Sequence, residues 1–414
     1  MDAPNPFAAT APARKPLMPL DDALACMLGS VQPVPDVEEV ETAAALGRVL
    51  AADLVSTIDV PPLDNSAMDG FAVRSHELPD EGVALPVSAR IAAGQVGAAL
   101  APGSAARIFT GAPIPEGADA VVMQEHTEPA EDGHVRICRI PLPGQNIRRR
   151  GEDIAAGSTV LVAGTRLSPQ ALGVAASVGA ARLAVRRRLR VALLSTGDEL
   201  VMPGEPLRPG AIYNSNRYTL RGLIGAAGAQ CTDLGIVPDR LDATRQALRE
   251  AAQGHDLIVS SGGVSVGEED HLRPAVQAEG ELALWQLAIK PGKPLAFGRV
   301  GTTAFVGLPG NPVASFVTFV MLVRPLLQRL SGCSDEPASP LPLQAGFDWE
   351  RPDPARREFL RARRQGSRVL IHDRQGSGVL ASVQWADGLV DLAPGQVVRR
   401  GDVVPFLPFS ELGC

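Results

Sequence analysis

The sequence predicts a multidomain α/β protein built around a three-layer domain with a largely parallel sheet. Three observations predict it. Residues 189–331 alternate short apolar runs with amphipathic stretches, the β-α-β rhythm of a parallel sheet covered on both faces. Residues 57–142 instead interrupt short apolar runs with Pro and Gly, the texture of a β-rich module. Past a linker holding Pro337, Pro340 and Pro342, residues 343–414 return to short alternating runs, which predict a small all-β domain over 340–414. At 414 residues the chain exceeds one ordinary core, so several domains are expected.

Taken in order, residues 1–16 are rich in Ala and Pro and read as a flexible tail. Residues 19–29 and 37–52 are expected to be helical, with Leu20, Leu24 and Met27 at three-to-four spacing. Ala105–Phe109 and Ala120–Met123 are strand candidates of the β module. A helix is expected at 168–180, where Ser168 offers an N-cap and Pro169 takes the first helical position. The β module, residues 57–145, therefore reads as an insertion in a helical unit made of 17–56 and 146–188. In the α/β domain, 189–331, strands are expected at 190–194, 232–237, 256–260, near Leu287 and Leu295, and at 303–307. Helices are expected at 216–227, 240–252, 270–279 and 312–330. The apolar run Val313–Val323 is too short to span a bilayer and reads as a buried helix. In the last domain Arg368–His372 and Gly378–Val383 read as strands. Gly376-Ser-Gly378-Val-Leu-Ala381 spells a dinucleotide fingerprint, yet it is expected to join two strands as a hairpin turn.

The bulk numbers exclude some classes. A net charge of −7 argues against general nucleic-acid binding, and no segment is expected in a membrane. Arginines cluster at 148–150, 186–188 and 356–364, and the last two clusters read as solvated faces. The five cysteines are far apart, so neither a zinc site nor a disulfide framework is expected, and a reducing cytoplasm fits.

Lysine is scarce: three residues against 36 arginines, and two of the three are Lys290 and Lys293. A compact ammonium suits a phosphate or oxyanion in a tight pocket, although Lys293 also reads as a solvated turn cation. Three polar, Gly-rich loops follow strands of the same domain: 195–199, 260–267 and 307–312. Ser260, Ser261, Gly262, Gly263 and Ser265 offer hydroxyls and close backbone approach, and Pro309, Gly310, Asn311 and Pro312 precede a helix start. All three lysines precede proline, which excludes a Walker loop. Glu199, Asp239 and Asp270 follow strands and can converge on Mg²⁺ beside a phosphate site. Asp239 and Asp270 have a second reading as helix N-caps. In the β module Asp64 reads as a turn former, and Asp69 either shapes its turn or faces a ligand. Of Arg148–Arg150, one or two are candidates for an anion.

Several segments together resemble the molybdopterin molybdenumtransferase family, MoeA in bacteria and the C-terminal domain of gephyrin. They are 64–70, 109–119, 144–153, 195–200, 260–267, 287–294 and 307–312, in order along nearly the whole chain. The resemblance implies four domains, including a molybdopterin-binding α/β domain, a discontinuous helical and extended dimerisation unit and a small C-terminal β-barrel, in an elongated homodimer. It implies insertion of molybdate into adenylylated molybdopterin with Mg²⁺-dependent release of AMP. A molybdopterin adenylyltransferase-type protein is then the expected pathway partner. Family functional positions fall on Asp69, Asp153, Glu199, Asp239, Asp270, Lys290, Pro309 and Pro312, with Asp69 acting across the dimer. Some members carry a lysine where this chain has Gln286. Two other readings remain: a pterin adenylyltransferase or related nucleotide-processing enzyme, and a gephyrin-like scaffold.

Overall fold

A computed structural model describes residues 17–263, 271–334 and 338–413. Its central sheet has six strands, in the order Gln230–Val237, Arg190–Thr196, Leu257–Ser261, Thr303–Leu308, Pro294–Val300, Gly280–Gln286. The first four are parallel and the last two add an antiparallel edge. Alternation along each parallel strand divides the apolar residues between two cores. Val191 and Leu193 face one core with Leu220 and Ile224, and Ala192 and Leu194 face the other with Leu248 and Val276. The Arg190–Thr196 strand lies between its two parallel neighbours, where chain order reverses, so the carboxyl ends of these strands open a crevice.

The helix beginning at Pro312 runs on to Leu330, a 19-residue stretch apolar enough to cross a membrane. Here 72% of its most apolar 18-residue window is buried inside the fold, and it serves as a core helix. A widened π turn, Phe319–Val323, precedes Arg324-Pro325 and accommodates a proline that cannot complete the regular ladder.

The expected helix at 37–52 does not form. Val37–Glu41 is a strand paired antiparallel with Arg182–Arg186, followed only by a short 3₁₀ turn at Thr42–Ala44. The ladder sets Glu41 opposite Arg182, and this distant partner overrides helical propensity. The helix Pro169–Ser177 forms as expected, with the Ser168 hydroxyl accepting from Ala171 N–H at 3.2 Å. The inserted module is a six-stranded sheet running from Ala120–Met123 through Gly70–Val73, Ala105–Ile108, Val83–Ile91 and His134–Ile137 to Thr127–Pro129.

The C-terminal region closes into a five-stranded barrel. Its circuit is Arg357–Gln365, Arg368–Ile371, Leu341–Ala345, Val403–Pro408 and Gly388–Leu392, which pairs back onto Arg357–Gln365. Gly378–Val383 is not a strand, because Ala381–Trp385 is a short helix. Nor are the arginines of 186–188 and 356–364 simply solvated. Arg187 forks onto Asp256 at 2.9 and 3.1 Å, and Arg361 is fully buried. Phe359, Leu389 and Leu407 leave the barrel to join the larger core of the α/β domain. Phe359→Ala should therefore cost about 3–5 kcal/mol in urea unfolding and loosen the barrel from its neighbour. A loss below about 1 kcal/mol would contradict that shared core.

Candidate active site

The crevice is a cavity of about 1100 Å³. It is lined by the described parts of the three strand-end loops expected to carry phosphate chemistry, residues 196–197 and 199, 261–263 and 309–312. Gly262 and Gly263 hold φ of +90° and +68°, a region that disfavours side chains. A Cβ on Gly262 would meet the Thr196 carbonyl at 2.8 Å, and one on Gly263 would meet Leu272 at 2.9 Å. Glycine is thus needed for both turn and packing. Asn216, in the first turn of the helix Ser215–Ala226, ties the loops together. Its Nδ2 donates to Ser261 Oγ at 2.9 Å and to the Gly310 carbonyl at 2.7 Å. Thr196 Oγ1 is buried with no hydrogen-bond partner among the described residues, a polar atom left at the cavity wall.

Of the expected ligand-binding residues, Ser261, Gly262, Gly263, Pro309, Gly310, Asn311 and Pro312 line the cavity. Ser260 does not: it is fully buried within its strand. Ser265 and Asp270 lie outside the described residues. Glu199 and Asp239 both line the cavity, and neither has a hydrogen bond or ion pair through its carboxylate among the described residues. The N-cap reading of Asp239 fails, since the following helix carries no side-chain cap bond. The helix start at Asn311 is partly capped instead, because Val313 N–H donates to the Ser377 carbonyl at 2.9 Å.

Lys290 and Lys293 line the same cavity. They differ in setting. Lys290 Nζ stands 2.9 Å from Glu358 Oε1, whereas Lys293 is exposed and has no ion pair among the described residues. Glu358 is buried on the barrel strand Arg357–Gln365, where its Oε2 accepts from Trp349 Nε1 at 2.9 Å and Asp353 N at 3.0 Å. Nearby, Arg356 also lines the cavity and donates Nε to Asp353 Oδ2 at 2.8 Å. Hydrogen bonding from Arg356, above all, holds the Asp353 carboxyl below the usual aspartate range, against the opposing effect of burial.

The barrel supplies one further wall, Gln375–Gly378. This corrects the hairpin reading of Gly376 to Gly378: the loop leads from the strand Arg368–Ile371 to the helix Ala381–Trp385 and faces the cavity. Arg361 underlies it. Its backbone N donates to Gln375 Oε1 at 2.9 Å, and its Nη2 reaches the Gly376 carbonyl at 3.4 Å. Burial pulls the Arg361 guanidinium down to about 10. Sequence reasoning missed Asn216, Arg356, Arg361 and Glu358. Only Gly376-Ser-Gly378 gave a visible signal.

Two expected residues stand elsewhere. Asp69 and Asp153 belong to the inserted module and its base and do not line the cavity of their own chain. Asp69 accepts from Thr110 N and Thr110 Oγ1, each at 2.8 Å. The backbone donor, then the hydroxyl, hold Asp69 below the ordinary aspartate range, with Arg107 adding to the effect. Asp64 does more than shape its turn: it accepts from Arg150 N at 2.8 Å and Arg149 Nη1 at 2.6 Å. Arg150 also pairs with Asp59, so of the three arginines only Arg148 has no ion pair among the described residues. Thr110→Val removes the hydroxyl donor but keeps the stronger N–H. The Asp69 midpoint, followed by NMR titration, should move up part of the way towards the ordinary aspartate value. No upward movement would remove the hydroxyl from that account.

Comparison with known proteins fits this geometry. Residues 18–179 match the MoeA N-terminal region (domain I and II), 192–329 a probable molybdopterin binding domain, and 343–409 the MoeA C-terminal region (domain IV). The molybdopterin molybdenumtransferase of Haemophilus influenzae is 44% identical over 317 residues, covering 76% of this chain and 78% of its own. Molybdopterin molybdenumtransferase 2 of Mycobacterium tuberculosis is 39% identical over 370 residues, covering 86% and 90%. A crystal structure of the molybdopterin biosynthesis MoeA protein of Pyrococcus horikoshii superposes with a TM-score of 0.83 at 28% identity, over 95% of this chain and 100% of that one. A second MoeA structure from that source gives 0.78 at 32% identity, over 95% and 99%. By its residues, its fold and these relatives, the chain belongs to the molybdopterin molybdenumtransferase family.

Proposed function

We propose that this chain inserts molybdenum from molybdate into adenylylated molybdopterin and releases AMP. The observation that carries this reading is the make-up of one cavity, lined by Gly-rich strand-end loops, three cations, Lys290, Lys293 and Arg356, and two carboxylates, Glu199 and Asp239. The loops suit the phosphates of a nucleotide-bearing substrate through backbone N–H groups. The cations suit the oxygens of molybdate and of the phosphoanhydride as charge grows on them. Tyr213, among the lining residues, adds a flat aromatic face for a ring system. Arg356 also supplies a positive charge in a chain that has Gln286 where some members carry a lysine; Gln286 itself ends an edge strand and does not line the cavity.

Mg²⁺ belongs to this reading as a cofactor. Glu199 and Asp239 fit it, because both are hard oxygen donors facing the same cavity with no cationic partner among the described residues. Asp270, outside those residues, is the third candidate ligand. Bound there, the ion would neutralise phosphate oxygens during cleavage. The reading also takes the protein as a cytoplasmic homodimer in which Asp69, which does not line its own cavity, completes the partner's, and in which Asp153 binds substrate. A molybdopterin adenylyltransferase-type enzyme would supply the substrate. An adenylyltransferase reading of this chain leaves the barrel without a role, although the barrel contributes Arg356 and the 375–378 loop to the cavity. A scaffold reading leaves the charged cavity itself without one.

The test supplies adenylylated molybdopterin, molybdate and Mg²⁺, and follows AMP release and reconstitution of an apo-molybdoenzyme. Molybdate-dependent AMP release is expected, and its absence overturns the reading. Lys290→Ala should slow the reaction about 10²-fold, the usual consequence of removing one oxyanion donor. Asp239→Asn should raise the Mg²⁺ concentration needed for half-maximal rate, and an unchanged requirement would remove Asp239 from the metal site.

A further inference from the structure

The barrel's part in this site extends beyond the residues that line the cavity. Ile289 and Lys290 pair in parallel with Arg357 and Glu358, so the lysine segment docks on a barrel strand backbone to backbone. At the same register the Glu358 carboxylate stands 2.9 Å from the Lys290 ammonium. The two partners differ sharply in exposure: the Glu358 side chain is 1% exposed and that of Lys290 is 43% exposed. One carboxylate oxygen is fixed by Trp349 Nε1 and Asp353 N. The other, Oε1, has Lys290 as its one ion-pair partner among the described residues. A buried carboxylate held this rigidly costs desolvation, and an apolar residue would fill the same strand position with less penalty. Its charge instead draws a flexible four-carbon side chain to one point of the cavity wall through an ion pair that is not an aligned hydrogen bond, leaving the ammonium donors free to turn towards an anion.

We propose that Glu358 is the positioning residue for Lys290, and that the C-terminal barrel is thereby an integral part of the reaction centre rather than an appendage to it. The proposal rests on the molybdenum-insertion reading for its assay. Lys293 has no such anchor among the described residues, so the two lysines act differently on the same ligand.

Glu358→Gln keeps the shape and an acceptor for Trp349 and Asp353 while removing the charge that orients Lys290. We expect kcat/KM for molybdate-dependent AMP release to fall about ten-fold or more, with the fall absent when Glu358→Gln is introduced into Lys290→Ala. Lys290→Ala leaves a buried carboxylate unpaired, so the double variant should melt above that single variant without regaining activity. AMP affinity is measured by calorimetry on the same four proteins, so the coupling is read even where turnover is slow. Wild-type kcat/KM in Glu358→Gln overturns the proposal. So does a loss of undiminished size in the Lys290→Ala background, which would mark Glu358 as a support of the barrel only. A wild-type protein that releases no AMP would instead overturn the functional reading, and the AMP-binding cycle then decides the coupling by itself.

Discussion

A two-residue backbone seam governs where everything else at the site can stand. Ile289 and Lys290 lie along Arg357 and Glu358, and through them a barrel formed from the last domain is fixed beside the carboxyl edge of the parallel sheet. The seam is reinforced from both directions. Phe359, Leu389 and Leu407 enter the core of the α/β domain, and Val313 N–H is satisfied by a barrel carbonyl. With these contacts in place the crevice that every doubly wound sheet leaves at its strand ends becomes a walled cavity. Without them Arg356 and the 375–378 loop would have no fixed relation to the glycine loops.

The charge arrangement follows from that placement. Lys290 is backed by Glu358 and Arg356 by Asp353, so two cavity cations have carboxylates behind them, on the barrel side. Glu199 and Asp239 line the same cavity with no ion pair among the described residues. The result is a pocket lined by both cations and carboxylates, suited to a substrate that carries both anionic groups and a bound cation. Arg361 adds charge from below, in a setting where burial already disfavours it.

Much of this was legible in the sequence, and the limits have physical causes. The parallel sheet was visible because its strands are short apolar runs separated by amphipathic helices, a pattern that local composition carries. The glycine loops and the lysine pair were visible because glycine and lysine have few other reasons to be there. Val37–Glu41 was misread because a strand's identity depends on its partner, and Arg182–Arg186 lies far along the chain. Glu358 was invisible for the same reason: a glutamate inside an arginine-rich run looks like a surface residue until the barrel closes over it. Gly376-Ser-Gly378 had the right letters, but only the tertiary fold shows which cavity its loop faces.

The Val37–Glu41 ladder with Arg182–Arg186 also orders events during synthesis. The first of these strands has no partner until Arg186 has been made, and between them lies the whole inserted sheet. That sheet pairs within itself, so it can complete while its base is still open. Closing a loop of such length costs chain entropy that grows only slowly with size, and a prefolded insert shortens the loop that must be ordered. The nascent chain thus meets its domains out of numerical order: the insertion first, its supporting ladder second, and the walled cavity only when the final barrel strands have emerged.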